Sequence, residues 1–90
     1  MRRIEYSSTF KRDYKRSMKR GLDMAKLDGV VELLINSKPL PAKNRPHMLT
    51  GEWRGFHECH IAPDWLLIYD LDDPEVLALH RMGTHSDLFE

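Results

Sequence analysis

The spacing of apolar and polar residues changes near the middle of the chain, from a helical period to an alternating one. Residues 3–6 alternate in polarity and predict a first short strand. Phe10, Tyr14 and Met18 then recur every fourth residue and predict a helix with a single apolar stripe. Apolar residues also recur along one helical face of residues 24–35, which predicts a second amphipathic helix.

Local signals support the ends of both helices. Ser7, Ser8 and Thr9 are candidate N-caps of the first helix and Asp23 is the candidate for the second, because a short polar side chain can accept from the free backbone N–H groups of a first turn. Gly21 suits the left-handed residue that follows the first helix, whereas Gly29 weakens the interior of the second. Residues 37–46 contain three prolines and predict a loop.

The second half of the chain predicts a meander of three strands. We expect these strands at about residues 56–62, 65–71 and 75–82. Residues 65–69 are apolar at both the odd and the even positions, which is typical of a central strand that is covered on both faces. The order β-α-α-β-β-β predicts an α+β fold with two N-terminal helices packed on one face of a mostly antiparallel sheet. A chain of 90 residues is expected to form a single domain, residues 1–90.

The charges of the chain balance as a sum but are unevenly distributed. Fourteen basic and fourteen acidic residues give a net charge of zero, which by itself argues against a nucleic-acid-binding protein. Residues 1–20 nevertheless hold eight bases and two acids, whereas residues 61–90 hold seven acids and Arg81 as their only base. This asymmetry favours contact between the first helix and RNA phosphates over a merely solvated helix face. The residues expected to make these contacts are Lys15, Arg16 and Lys19.

The composition excludes several classes of protein. Cys59 is the only cysteine, which excludes an internal disulfide, and its strand parity with Ile61 predicts a small buried hydrophobe. No apolar run approaches the roughly 20 residues that a transmembrane helix needs. The N-terminus also lacks the apolar core of a signal peptide. We therefore expect a cytoplasmic protein that does not contact the membrane.

Histidine is frequent in this chain, with five copies, and it is the side chain best suited to proton transfer near neutral pH. Cleavage of RNA by its own 2′-hydroxyl needs a base for that hydroxyl and an acid for the leaving 5′-oxygen. It also needs a cation to stabilise the charge on the phosphate. Histidines with a nearby arginine meet these needs without a metal. Taken singly, however, each histidine fits a surface or loop position as well.

The segment His57-Glu58-Cys59-His60 is the one candidate for a metal site. On a strand, His57 and Cys59 face one way, whereas Glu58 and His60 face the other. Three ligands then cannot converge on one ion. The sequence therefore predicts no metal site and no cofactor.

Three segments of the second half carry signatures that lie in order and at fitting distances. They are PHxLxGxWRG from residue 46, HxxPDWxLxY from residue 60 and RxGTHSDLF from residue 81. Together they resemble the YafQ branch of the RelE superfamily, the ribosome-dependent mRNA interferases of bacterial toxin–antitoxin pairs. The resemblance extends over nearly the whole chain. It implies a microbial-ribonuclease-like sheet with the active site on its open face.

The resemblance also implies the residues of that site. The family's functional positions fall on His47, His60, Asp64, Arg81, His85 and Phe89. In the mechanism we expect, His85 protonates the leaving 5′-oxygen and His60, with Asp64, activates the 2′-hydroxyl. Arg81 holds the scissile phosphate, but it shares strand parity with the apolar Leu79. It can reach the open face only if the strand ends or bulges near Gly83.

The remaining candidates have structural alternatives. His47 is expected to bind substrate or to share in the acid–base chemistry. Phe89 either stacks on a base or fixes the C-terminus to the core. Trp65 is a candidate substrate contact, although packing is the more natural role for it. Asp64 can also simply begin a turn after Pro63.

The partners follow from the resemblance alone. It implies a DinJ- or RelB-like antitoxin that neutralises the toxin, and a complex of the two that represses its operon by binding operator DNA. It further implies action on mRNA in the A site of the 70S ribosome. The alternative function is a non-catalytic module that binds ribosome or operator through the basic first helix. A small zinc hydrolase is a third, poorer candidate.

Overall fold

The computed structural model describes residues 1–89; Glu90, one of the acids counted in the C-terminal third, lies outside the described residues. The helices are α1 (Ser8–Lys19), α2 (Met24–Ile35) and α3 (His85–Phe89). The strands are β1 (Arg3–Tyr6), β2 (His47–Met48), β3 (His57–Ala62), β4 (Trp65–Asp70) and β5 (Val76–Gly83). Two single turns of 3₁₀-helix, Ala42–Asn44 and Gly51–Trp53, lie in the segment between α2 and β3.

The strands form one sheet in the order β1-β5-β4-β3-β2. Only β1 and β5 pair in parallel, and the other neighbouring strands are antiparallel. The predicted α+β fold is therefore confirmed. The sequence pattern missed β2 and α3, because two residues are too few for an alternating pattern and five are too few for a helical one.

Of the three candidate N-caps of α1, Ser7 is the residue that caps the helix, and the predicted cap of α2, Asp23, is confirmed. Ser7 accepts a hydrogen bond from the backbone N–H of Phe10, and Asp23 accepts one from that of Ala25. Gly21 has a φ of 75°, the left-handed conformation that glycine adopts without a steric cost. These local interactions fix where α1 ends and where both helices begin.

The main core lies between the sheet and helices α1 and α2, and it includes Phe10, Leu27 and Leu67. A second, smaller cluster of Leu66, Ile68 and Leu88 covers the opposite face of the sheet. Strand β4 is buried on both faces, as its apolar pattern predicts. We use the term open face for the side of the sheet that carries Leu66 and Ile68.

The predicted apolar stripe of α1 is wrong at Met18, which is 57% exposed. The buried residues of α1 are Phe10, Asp13 and Ser17. A spacing of four residues rotates by about 40° per step on a helix with 3.6 residues per turn, so the third member of the stripe leaves the interface. The buried face of α1 is consequently partly polar.

Among residues 1–89, no helix combines the length and the apolar character needed to cross a membrane.

Candidate active site

The predicted catalytic residues gather around the small apolar cluster on the open face. His60 lies opposite Leu66 and Glu58 lies opposite Ile68 in the pairing of β3 with β4. Because directly opposed residues of two antiparallel strands point to the same side, His60 and Glu58 face this side of the sheet. The parity predicted for the His57–His60 segment is therefore confirmed.

His85 and Asp64 form a hydrogen-bonded pair at the end of this face, so the structure pairs Asp64 with His85 and not with His60 as expected. Asp64 lies in the turn between β3 and β4, and its Oδ1 is 3.0 Å from Nδ1 of His85. The same oxygen accepts from the backbone N–H of His85 at 3.2 Å. These hydrogen bonds hold the pKa of Asp64 below its ordinary value, although both side chains are exposed. A carboxylate on Nδ1 fixes the ring and leaves Nε2 free for proton transfer.

His60 lies next to this pair, with its ring centroid 6.0 Å from that of His85. Its backbone carbonyl accepts a hydrogen bond of 2.7 Å from Nδ2 of the buried Asn44. This contact ties the loop before β2 to β3. Two imidazoles this close together can both reach one phosphodiester, one as its base and the other as its acid.

His47 is held by two acceptors on the neighbouring edge of the sheet. Its Nε2 is 3.1 Å from Oε1 of Glu58, and its Nδ1 is 2.8 Å from the carbonyl oxygen of Arg45. These two contacts fix the orientation of the imidazole ring at the edge of the sheet. The Glu58 side chain is only 5% exposed, and its Oε2 has no partner among the described residues.

A β-bulge in β5 places Arg81 on the opposite face of the sheet from Leu79. Leu79 pairs with Tyr69, whereas Arg81 pairs with the adjacent Ile68, so one residue, His80, is extra on β5. The predicted bulge thus exists, but it lies before Arg81 and not at Gly83. The shift gives Arg81 the backbone position of an open-face residue.

The guanidinium of Arg81 is anchored by Asp13 of α1. Its Nε donates to Oδ2 of Asp13 at 2.8 Å, and its Nη2 is 3.4 Å from Oδ1. The buried carboxylate also accepts from Nη2 of Arg16 at 3.0 Å and from the backbone N–H of Met82 at 3.0 Å. Asp13 therefore fixes both the arginine and the backbone beside the bulge.

A second carboxylate, Asp87, joins α3 to α1. Its oxygens accept from Arg20 at 2.7 and 3.2 Å, and Arg16 lies 3.6 Å away. The backbone N–H of Thr84 donates to it at 2.9 Å. Gly83 allows this close approach, because a Cβ atom there would come within 2.8 Å of Asp87 and 2.9 Å of Arg16. These contacts hold the short helix that carries His85.

Replacing Asp87 with Asn should remove part of the acid sensitivity of the fold. Hydrogen bonding from Arg20, supported by Thr84 and the charge of Arg16, holds the pKa of Asp87 well below its ordinary value. Such a group contributes stability above the unfolded pKa of about 4, and this contribution is lost as pH falls towards the folded pKa. We expect Asp87→Asn to lower the free energy of unfolding by about 1–2 kcal/mol at pH 7.

The measurement is urea unfolding of both proteins at several pH values between 7 and 3. The difference between Asp87→Asn and the native chain should shrink as the solution is acidified below about pH 4. Asp72→Asn, at an exposed turn residue, is the matched control and should change little. A difference that stays constant with pH would contradict the assigned role of the Asp87 carboxylate.

The aromatic candidates separate into one exposed and one buried residue. Phe89 is 45% exposed, and its ring centroid is 6.3 Å from that of His85, so it is available to a ligand. Leu88, at 8% exposure, is the residue that fixes α3 to the sheet. Trp65 is 4% exposed within the main core, so the structure corrects the substrate-contact hypothesis for it in favour of packing.

The cations of α1 also separate into two groups. Lys15 and Lys19 are exposed and form no ion pair within residues 1–89. Arg16 instead binds Asp13, Asp87 and the carbonyl oxygen of Met82. The two lysines are thus free for a phosphate partner, whereas Arg16 is a structural residue of the α1–α3 interface.

The histidines and the cysteine outside the signatures are structural. His57 stacks on Tyr69 at 5.3 Å, and His80 packs edge-on against Phe56 at 4.6 Å. Cys59 is fully buried, and burial raises the pKa of its thiol to about 12, which keeps it protonated. Within residues 1–89, no group of three His, Cys, Asp or Glu side chains could hold a metal ion.

The sequence pattern missed three carboxylates that organise the site: Asp13, Glu58 and Asp87. The sequence does set Asp13 apart, because it is the only acid in a helix that contains five bases. Its burial could not be inferred from α1 alone. Its main partner, Arg81, is 68 positions away along the chain.

This fold, which carries a cluster of histidine, aspartate and arginine around one open face, is similar to that of chains in solved toxin–antitoxin complexes. A family described as "Bacterial toxin of type II toxin-antitoxin system, YafQ" matches residues 2–90. The chain belongs to this YafQ family, as the sequence signatures indicate.

Individual relatives agree over nearly their full lengths. The mRNA interferase toxin YafQ of Escherichia coli K12 is 47% identical over 89 residues, which cover 98% of this chain and 96% of that protein. The toxin in the crystal structure of the E. coli DinJ-YafQ complex is 46% identical, with a TM-score of 0.90 and full coverage of both chains. A metal-bound toxin from Helicobacter pylori is 42% identical, with a TM-score of 0.92, and the match covers 99% of this chain and all of that one.

Proposed function

We propose that the chain is an mRNA interferase, an endoribonuclease that cleaves mRNA in the ribosomal A site by acid–base catalysis without a resident metal. The observation that carries this proposal is the His85–Asp64 pair at 3.0 Å with the ring of His60 at 6.0 Å from His85. The 47% identity to the mRNA interferase of E. coli supports the same activity.

The roles of the two histidines follow from their neighbours. His60 takes the proton of the 2′-hydroxyl as its oxygen attacks the phosphorus, with the P–O5′ bond breaking on the opposite side. His85 gives its Nε2 proton to the leaving 5′-oxygen, and Asp64 stabilises its imidazolium form through Nδ1. The products are a 2′,3′-cyclic phosphate and a 5′-hydroxyl. Each proton transfer contributes about 10²–10⁴-fold to the rate.

Arg81 is suited to the charge of the phosphate in the transition state. Asp13 occupies its Nε at 2.8 Å and approaches its Nη2 at 3.4 Å, which leaves donors on the terminal nitrogens for phosphate oxygens. His47, whose Nε2 lies 3.1 Å from Oε1 of Glu58, is a further imidazole on the same side of the sheet. Phe89 is exposed next to His85 and can stack on an unpaired base.

The proposed docking surface for ribosomal RNA is the exposed face of α1. Lys15 and Lys19 are free of acidic partners within residues 1–89, as phosphate contacts require. Binding through several lysines should weaken steeply with salt. The protein would therefore act in the cytoplasm, where ribosomes translate.

We also propose a DinJ- or RelB-like antitoxin as the partner of this chain. The support is the E. coli DinJ-YafQ complex, whose toxin has the same fold at a TM-score of 0.90. Binding of operator DNA would then belong to the complex of toxin and antitoxin.

The decisive experiment combines purified protein with ribosomes programmed with an mRNA of known A-site codon. The native chain should cut this mRNA and leave a 2′,3′-cyclic phosphate and a 5′-hydroxyl, and it should not cut the same mRNA without ribosomes. A single 2′-deoxynucleotide at the cleaved position should abolish the cut, because the nucleophile is missing. Cleavage of the deoxy substrate, or a 5′-phosphate product, would contradict the proposed chemistry.

A test for bound metal is needed because two similar structures of Helicobacter pylori toxins have been solved with a metal bound. The protein is treated with EDTA, freed of chelator and assayed with only the Mg²⁺ that ribosomes require. Full activity is expected, whereas recovery only after adding a transition metal would contradict the proposal. The alternative, a non-catalytic module, predicts translation arrest with no new mRNA ends.

A further inference from the structure

His60, the proposed general base, lies where strand β3 loses regular partners on both sides. Toward β4 the register shifts between His60 and Ala62, so the pairing is interrupted directly after the histidine. Toward β2 the pairing reaches only as far as Glu58, because β2 consists of His47 and Met48 alone. The sheet therefore gives the backbone beside this imidazole fewer regular contacts than the centre of the strand has.

Asn44 supplies the partner that is missing on the β2 side. If the register of β2 with β3 continued, Arg45 would lie opposite His60, and its N–H would donate to the carbonyl oxygen of His60. The N–H of Arg45 instead donates to the carbonyl oxygen of Ala42 at 3.0 Å, and a φ of 44° takes Arg45 out of the extended conformation. Nδ2 of Asn44 takes the place of that donor, 2.7 Å from the carbonyl oxygen of His60. A side chain thus replaces a strand partner at this edge.

Asn44 is a buried polar residue that the proposed mechanism does not use. It is 6% exposed and ends the single 3₁₀ turn Ala42–Asn44. A carbonyl oxygen only accepts, so the amide nitrogen of Asn44 must be the atom that faces His60. Burying an amide costs free energy unless it is hydrogen-bonded, and within residues 1–89 this bond is the one that the Asn44 side chain forms.

The same loop also orients His47. The carbonyl oxygen of Arg45 lies 2.8 Å from Nδ1 of His47, and Arg45 directly follows Asn44 in the chain. Two adjacent residues therefore hold one histidine by its ring and the other by its backbone. The contact with the His60 backbone leaves the imidazole of His60 free on the open face.

We propose that Asn44 is a positioning residue for His60. Its amide fixes the backbone of β3 where the imidazole is attached, and thereby fixes the placement of the ring against the 2′-hydroxyl. The inference rests on the proposed function, because it concerns the geometry of the same base. Asn44 touches no reacting atom, but a displacement of about 1 Å in a catalytic group can lower a rate on the order of 10²-fold.

The test is single-turnover cleavage on programmed ribosomes by variants of Asn44, at temperatures well below their melting temperatures. Asn44→Leu has a similar size but cannot donate a hydrogen bond. It should lower the maximal rate about 10- to 100-fold and change the half-saturating toxin concentration by less than about twofold.

Asn44→Asp separates the donor from the shape of the side chain. It has the shape of asparagine, but it presents an acceptor in place of a donor to the carbonyl oxygen of His60. It should therefore cleave more slowly than Asn44→Leu. If Asn44→Asp is instead the variant closest to the native rate, shape alone matters and the proposal is wrong.

Asn36→Leu is the matched control. The Asn36 side chain also donates to a backbone carbonyl oxygen, that of Glu32 at 2.9 Å, but it lies at the end of α2. Its replacement should leave the cleavage rate unchanged. Equal losses of rate in Asn36→Leu and Asn44→Leu would indicate general damage to the fold and overturn the proposal.

Combining Asn44→Leu with His60→Ala shows whether Asn44 acts through His60. If it does, the double variant should cleave at the rate of His60→Ala, since no imidazole is left to position. If Asn44→Leu slows His60→Ala by the same factor as it slows the native chain, the two residues act independently. That result would contradict the positioning role.

The failures of the two proposals are distinguishable. If the native chain cuts no ribosome-bound mRNA, the proposed function is wrong. The NMR resonance of the Cε1–H group of His60 then still tests the contact, and it should shift in Asn44→Leu but not in Asn36→Leu. If the native chain cleaves, His60→Ala is slow and Asn44→Leu cleaves at the native rate, only the assignment of Asn44 is wrong.

Discussion

Replacing His85 with alanine should lower the rate of mRNA cleavage about 10²–10⁴-fold, the contribution of one general acid. His85 holds its Nδ1 against Asp64 at 3.0 Å and leaves Nε2 free, so the substitution removes the proton donor and nothing that fills the core. Its side chain is 59% exposed. The variant should therefore fold with nearly native stability.

The measurement is single-turnover cleavage on programmed ribosomes, so that product release does not mask the chemical step. Ser86→Ala, at the next exposed position of α3, is the matched control and should cleave at the native rate. An mRNA with a better leaving group at the 5′-oxygen, such as a 5′-phosphorothiolate, should rescue His85→Ala but not His60→Ala. Rescue of both variants, or of neither, would contradict the assignment of His85 as the acid.

The predictions that succeeded depended on interactions between near neighbours in the chain. Ser7 and Asp23 cap helices that begin at the next residue, and β4 is apolar on both parities because both of its faces are covered. The His85–Asp64 pair could not be predicted as a contact. It needs the turn after β3 and the start of α3 to meet, although 21 positions separate them.

The position of Arg81 shows why the alternation of side chains along a strand did not by itself predict which face of the sheet it occupies. An unbroken strand would give Arg81 the same face as Leu79, and only the extra residue His80 reverses it. No turn residue or glycine marks the bulge in the sequence. The backbone N–H of Met82 bonds to Asp13, so part of what fixes the strand there comes from a helix near the other end of the chain.

The balance of charge also has a different meaning in three dimensions. The basic N-terminal segment and the acidic C-terminal segment meet where Arg16 and Arg20 bind Asp87. Part of the opposite charge of the two segments is thus paired inside the molecule, in the ion pairs that hold α3 against α1. The cations left for RNA are the exposed lysines of α1, including Lys15 and Lys19.

Replacing Asp13 with asparagine should reduce both stability and activity, because one buried carboxylate serves four donor contacts. Its side chain is 3% exposed, and it holds Arg81, Arg16 and the backbone of Met82. The arginines are 22% and 35% exposed, so water can solvate them in part, and the loss should be below that of a fully buried pair. We expect the free energy of unfolding to fall by about 2–3 kcal/mol.

Urea unfolding at pH 7 measures the loss, and Asp28→Asn, an exposed carboxylate of α2, is the control, expected to stay within about 0.5 kcal/mol of the native chain. Cleavage is measured well below the unfolding midpoint, where the variant is folded. A loosened Arg81 should then lower kcat more than it raises KM, because its phosphate contact matters most in the transition state. Native cleavage by a destabilised Asp13→Asn would mean that Asp13 supports the fold without orienting Arg81. Native stability would mean that the arginines find other partners as good as this carboxylate.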